Sequence, residues 1–221
     1  MKQGKPIDAS LRHVVFFPDQ SAQSYPTIVA LHGRGANELD LLPLIQELGI
    51  DNLLVISARA PLPFESGMEG AFAWYKLSHG WLPHHETFLA SLEALQRFLQ
   101  EIKAGYPVDP KRLMLLGFSQ GTVMTYAATL LNPRSFQRIV ALSGYIPTKS
   151  GLQLKLKELA DFPVFISHGT FDDLIPMQLG RESADLLKKA GADVVYREYS
   201  MGHQVSMETL RDLRAWMKGE A

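Results

Sequence analysis

Gly117-Phe118-Ser119-Gln120-Gly121 places a serine between two glycines, directly after the apolar run Arg112-Leu113-Met114-Leu115-Leu116 and before the helix-forming stretch Thr122 to Ala128. Strand, sharp turn and helix in that order put the serine at the tip of the turn. A serine so placed sits in a strained backbone conformation that projects its hydroxyl above a sheet. Close packing of the strand against the new helix leaves little room for side chains two positions to either side, so both are glycine. The helix also aims its first N–H groups, at the positive end of its dipole, toward the place where an oxyanion would form.

The rest of the chain alternates short apolar runs with helical patterns. Val14–Phe17, Thr27–Leu31, Leu53–Ser57, Leu113–Leu116, Arg138–Leu142 and Val164–Ser167 read as strands, and Val194–Tyr199, with clearer alternation, as a strand near a sheet edge. Thr87 to Ala104 carries Phe88, Leu92, Leu95, Leu99 and Ile102 at helical spacing. Met177 to Ala190, stopped by Gly191, and Ser206 to Lys218, with a cap-like Ser206 start, are the later helices. Such alternation predicts an α/β fold, a mostly parallel twisted sheet covered by helices on both faces. With 221 residues, one domain over 1–221 is expected.

The irregular stretch is 59–85. It holds three prolines and three glycines with Phe64, Phe72, Trp74, Tyr75 and Trp81, too aromatic for disorder. A loop of this length in a compact domain usually carries function. It is read as lying over the active site, with Phe72, Trp74 and Tyr75, together with Leu174, as walls of a substrate pocket.

Twenty-two Lys and Arg against 23 Asp and Glu leave a net charge of −1, which gives no electrostatic case for nucleic acid or an anionic membrane. The absence of cysteine excludes disulfides, thiolate metal sites and a cysteine nucleophile. The lysines near Met1 have no apolar run behind them, and no segment approaches membrane-spanning length, so a cytoplasmic protein without stable membrane association is expected. No dinucleotide or phosphate-loop pattern appears, and neither metal nor cofactor is expected.

A serine needs a base, and the base needs a partner that fixes its tautomer. Past Ser119, the segment leaving the Val164–Ser167 strand offers Asp172 and Asp173, which geometry alone does not separate; either could cap the helix that follows. His203, between the last strand and the last helix, is the base candidate. His168 stands where it could buttress the acid turn. An oxyanion needs at least two donors. The Gln120 N–H is one, and the loop Leu31-His32-Gly33-Arg34-Gly35 supplies the other, with the Arg34 N–H the candidate.

These four ordered segments, Leu31 to Gly35, Gly117 to Gly121, His168 to Pro176 and Gly202-His203, resemble the phospholipase/carboxylesterase family of α/β-hydrolases, which includes acyl-protein thioesterases and small bacterial carboxylesterases. The resemblance implies an α/β-hydrolase fold and selects Asp172 as the acid. It assigns the first oxyanion donor to Arg34, where the family often has a smaller apolar residue. It implies a carboxylesterase acting on small-molecule esters, with thioesterase or lysophospholipase as alternatives, and it allows a homodimer; the aromatic loop Phe64 to Trp81, which offers apolar walls but no long apolar cover, points to uncharged esters of short to medium acyl chains. A non-catalytic ligand sensor on the same scaffold is the alternative of another class; an acyl transferase would differ only in the acceptor.

Overall fold

The computed structural model describes residues 1–65 and 67–220; Ser66, within the 59–85 stretch, and Ala221, the last residue of the expected domain, lie outside the described residues. In chain order the elements are β1 (Lys2–Gln3), β2 (His13–Phe17), β3 (Tyr25–Leu31), α1 (Leu42–Glu47), β4 (Leu54–Ala58), β5 (Leu62–Pro63), β6 (Phe72–Ala73), α2 (His85–Gly105), β7 (Val108–Phe118), α3 (Gln120–Leu131), β8 (Arg138–Leu142), β9 (Pro163–Gly169), α4 (Met177–Lys189), β10 (Asp193–Tyr199) and α5 (Met207–Lys218).

Eight strands form one sheet in the order β1-β2-β4-β3-β7-β8-β9-β10. β1 and β2 pair antiparallel at one edge; every pairing from β4 to β10 is parallel. β10 is the other edge, as its alternation indicated. Successive residues of the inner strands face opposite sides. Val29, Leu31, Leu115, Ile139 and Ile166 join a core with Phe88 and Leu95 of α2, Val123 and Ala127 of α3 and Leu187 of α4. Ile28, Ala30, Leu116, Val140 and Phe165 join a second core with Ile45 of α1 and Leu213 and Trp216 of α5. Both faces are thus covered, which is why these strands are almost wholly apolar. Among the described residues, no helix is long and apolar enough to cross a membrane.

Two parts of the chain differ from the sequence pattern. α1 has six residues, a proline in its first turn and no side-chain cap, so it leaves no periodic signal. The 59–85 stretch is not wholly irregular. β5 and β6 form a small antiparallel hairpin, and Phe72 bonds to the loop after β3: its N–H to Ala36 O at 2.8 Å, its carbonyl to Gly35 N–H at 2.8 Å.

The elbow explains its glycines in atomic terms. A Cβ on Gly121 would stand 1.8 Å from the Leu31 carbonyl oxygen, and one on Gly117 2.4 Å from the Gly121 backbone. The start of α3 therefore lies directly against the end of β3. Gly121→Ala should lower the unfolding free energy by about 3 kcal/mol or more, the upper end of the cost of overpacking, because the obstruction is backbone and not a movable side chain. Urea denaturation measures this; a loss under about 1 kcal/mol would contradict the close approach.

Candidate active site

Ser119 stands between β7 and α3 at φ 55° and ψ −118°, a conformation that costs a non-glycine residue about 1–3 kcal/mol. Neighbours hold it there. The Ser119 N–H donates to Leu142 O at 2.9 Å. The Thr122 hydroxyl lies 2.7 Å from both Gly117 O and Leu142 O, and accepts from the Leu142 N–H at 3.0 Å. Thr122 thus fastens the first turn of α3 to the ends of β7 and β8, a role the sequence reading did not assign.

The two aspartates are separated by the turn that follows β9. Asp172 has a fully buried carboxylate: Oδ1 accepts the N–H groups of Leu174 at 3.0 Å and Ile175 at 2.8 Å, and Oδ2 accepts His203 Nδ1 at 2.7 Å. His168 Nε2, which donates to Ile175 O at 2.9 Å, lies 3.3 Å from the same Oδ2. Burial alone would raise the Asp172 pKa, but hydrogen bonds from His168, His203 and Ile175 outweigh it and hold the group well below the usual carboxylate range. Asp173 is exposed. Because His203 Nδ1 is the donor to Asp172, its Nε2 carries the lone pair, the tautomer a base needs. The ring also packs against Phe118, with centroids 4.9 Å apart.

Ser119, His203, Arg34 and Gln120 line one cavity of about 280 Å³. Among the described residues no hydrogen bond joins Ser119 to His203, a contact that in unliganded sites is often long and tightens with substrate. The N–H groups of Arg34 and Gln120 likewise have no acceptor among the described residues, whereas those of Gly35 and Ala36 are taken by Phe72 O and Gly33 O. Two free donors beside a serine are what an oxyanion requires. The Arg34 side chain turns elsewhere: its guanidinium lies 3.3 Å from Glu65 and over the Phe64 ring.

The pocket residues divide. Tyr75 and Leu174 line the cavity, joined by Leu77, Trp81, Phe118, Tyr145 and Ile175. Trp74 and Phe72 do not. Trp74 is fully buried, and its indole N–H donates to His32 O at 2.9 Å, so it holds the loop after β3 from behind. Phe72 packs under the Arg59 guanidinium, 4.3 Å from its ring centroid. The expectation that both are pocket walls is therefore corrected: an aromatic loop segment was read as facing the cavity when half of it faces the core. The Gln120 side chain reinforces this support by accepting from Trp74 N–H at 3.0 Å and donating to Tyr75 O at 2.9 Å.

His32 ties the loop down. Nδ1 donates to Gly33 O at 2.7 Å, and Nε2 accepts from the Ala60 N–H at 3.0 Å. Only the neutral ring satisfies both, since a proton on Nε2 would face the Ala60 donor. Burial accordingly pushes its pKa down to about 4.

A family model described as phospholipase/carboxylesterase matches residues 13–219. Acyl-protein thioesterase 1 of Cryptococcus neoformans is 26% identical over 96% of this chain and 98% of its own. Carboxylesterase SOBER1 of Arabidopsis thaliana is 32% identical over 54% of this chain and 52% of its own. The solved structure of the Bacillus cereus carboxylesterase superposes with a TM-score of 0.83 at 26% identity, covering 96% of this chain and 95% of that one. The fold is that of the α/β-hydrolases.

Two measurements test the site. Asp172→Asn should reduce turnover of a simple ester by about 10⁴, the loss expected when a base is held in the wrong tautomer, while Asp173→Asn should stay within a few fold of the parent. The reverse ranking would remove Asp172 from its role. The low His32 pKa makes a separate prediction about stability. Between pH 6.5 and about 4 the unfolded chain binds a proton at His32 that the folded chain refuses. The stabilisation is therefore complete above pH 6.5 and is lost as pH falls toward 4, by about 3 kcal/mol in all. Urea unfolding of the parent and His32→Gln across this range should show the steeper decline in the parent; parallel curves would contradict the neutral ring.

Proposed function

We propose that this chain, which belongs to the phospholipase/carboxylesterase family, hydrolyses carboxylic esters through a triad of Ser119, His203 and Asp172, with the N–H groups of Arg34 and Gln120 as the oxyanion hole. That the chain is an ester hydrolase of this family rests on the family match; the residue roles and the substrate are our reading. The observation that carries it is the buried Asp172 carboxylate, 2.7 Å from His203 Nδ1, with two backbone N–H groups on its other oxygen.

Each part has a defined task. His203 Nε2 takes the Ser119 proton as the oxygen attacks the acyl carbon, and the resulting imidazolium is stabilised by Asp172. Negative charge moves to the former carbonyl oxygen, between the Arg34 and Gln120 N–H groups and the start of α3. His203 then gives the proton to the departing alkoxide, which leaves an acyl ester on Ser119. Water repeats the sequence, His203 deprotonating it and returning the proton to Ser119, and releases the acid.

The cavity walls are apolar and aromatic, and the one cationic side chain among them, Arg34, is engaged by Glu65. An uncharged ester of short to medium acyl chain suits such walls. A second reading, hydrolysis of acyl-protein thioesters, is favoured by Phe171 and Leu174, exposed apolar residues on the same loop as Asp172, which a lipidated substrate would cover. Greater efficiency on palmitoyl thioesters than on butyrate esters would select it.

Ser119→Ala should abolish labelling by an organophosphonate probe and reduce turnover by roughly 10⁶, as removal of a triad nucleophile does. Labelling that persists in the variant would place the nucleophile elsewhere.

A further inference from the structure

A second cavity, of about 330 Å³, adjoins the catalytic one. It lies between the loop 78–83, the first turn of α2 with His85 and Phe88, the segment 145–150 after β8, and one face of α4 that presents Leu179, Ser183 and Leu186. Its volume falls within the range of small-molecule sites. The two cavities have two lining residues in common, Trp81 and Tyr145. These rings meet edge to face with centroids 5.0 Å apart, and together they form the partition.

The partition is fixed on one side and movable on the other. Tyr145 is buried, and its hydroxyl donates to the Trp81 backbone carbonyl at 2.8 Å. That bond does not involve the indole, so the Trp81 side chain can turn about its own bonds without breaking it. Trp81 is half-buried and follows Gly80, at φ +57° with open space where a Cβ would be.

We propose that the second cavity binds the alkyl tail of the substrate acyl group, which enters from the catalytic cavity past Trp81. This rests on the esterase reading above and extends it to substrate selection. The direction follows from the chemistry. The leaving oxygen must stay within reach of His203, yet no residue of 168–176 or 200–205 lines the second cavity. The group that points toward it is therefore the acyl chain and not the alcohol. Phe88, Leu179 and Leu186 supply apolar walls, and the exposed Lys149 and Glu182 stand at its solvent side. Trp81 is accordingly a specificity-determining residue: short acyl groups fit beneath it, and longer ones displace it.

The test is the ratio of kcat/KM for nitrophenyl laurate to that for nitrophenyl acetate, with cooperative thermal unfolding as the check on folding. Leu186→Trp, which fills the second cavity away from Ser119, should lower the ratio tenfold or more, since a hydrophobic pocket discriminates by about that factor per methylene. Trp81→Ala should raise it, and Leu186→Trp added to Trp81→Ala should cancel the gain. A ratio unmoved in folded Leu186→Trp, with acetate turnover still dependent on Ser119, overturns the second cavity and leaves the esterase reading standing. No Ser119-dependent turnover of either ester in the parent overturns both. Should Leu186→Trp not fold, Leu179→Phe serves the same purpose. A crystal structure of the parent carrying a dodecylphosphonate on Ser119 is independent of any variant. The alkyl chain should pass between Trp81 and the α4 face; a chain leading out over Leu174 to solvent overturns the proposal.

Discussion

The contact between the first turn of α3 and the last carbonyl of β3 organises the site. Gly121 has no side chain, so the Leu31 carbonyl can reach its backbone, and Gly117 has none, so the elbow can fold back on itself. This contact sets the distance between two loops that are remote in sequence. The loop leaving β3 carries the Arg34 N–H; the loop entering α3 carries Ser119 and the Gln120 N–H. A side chain at Gly121 would separate them, and the two N–H groups would no longer face one cavity. A third approach completes the fit, since a Cβ on Gly33 would lie 3.0 Å from the Phe118 ring. The strain at Ser119 is held in place by its own N–H bond to Leu142 O, while Thr122 fastens the turn that follows to the same strand end.

A loop drawn so tightly against the elbow has buried polar groups that must find partners. His32 is the solution on one side, giving to Gly33 O and accepting from Ala60 N–H. Trp74 is the solution on the other, giving to His32 O, while its own backbone N–H is accepted by Gln120. The hydrogen bonds run from β3 through the aromatic segment into α3, so the loop after β3 is braced by the helix beside it. The N–H groups of Arg34 and Gln120, which face the cavity beside Ser119, have no acceptor among the described residues, and they are the donors our reading assigns to the substrate oxygen.

Much of this was legible in the sequence, and the reasons differ by element. The inner strands announced themselves because both faces are buried, as Ile28 and Val29 enter opposite cores. Ser206 marked the start of α5 because its hydroxyl accepts the Thr209 N–H. The hairpin of β5 and β6 was not legible, since two-residue strands have no period and their anchor is a bond from Phe72 to Ala36, far away in the chain. Asp172 and Asp173 are chemically identical neighbours; only the turn that points one carboxylate at two N–H groups and two imidazoles separates them. Trp74 misled for a related reason. Composition says that a loop is aromatic, but which rings face a cavity depends on what lies behind them, here the His32 carbonyl. Trp81 and Tyr145, 64 residues apart, meet only through the packing of two loops on the same sheet edge.

Arg34 shows how much freedom the site allows. At the position of an oxyanion donor a large cation looks disruptive, since its side chain could occupy the cavity or bind the charge itself. The chemistry asks only for the backbone N–H, and backbone geometry is indifferent to what lies beyond Cβ once the neighbouring glycines permit the turn. The guanidinium is diverted by Glu65 at 3.3 Å and by the face of Phe64, both supplied by the segment that also carries the cavity walls. An exposed ion pair of this kind contributes little to stability, ~1 kcal/mol or less. Its effect is on position: it holds the guanidinium against Glu65 and Phe64; in the mechanism proposed above, charge developing on the substrate oxygen would then meet backbone dipoles instead of a mobile cation. A carboxylate in place of Phe64 would alter where that cation sits, and a neutral residue at Glu65 would release it toward the cavity mouth; the backbone N–H of Arg34 would be the same in every case.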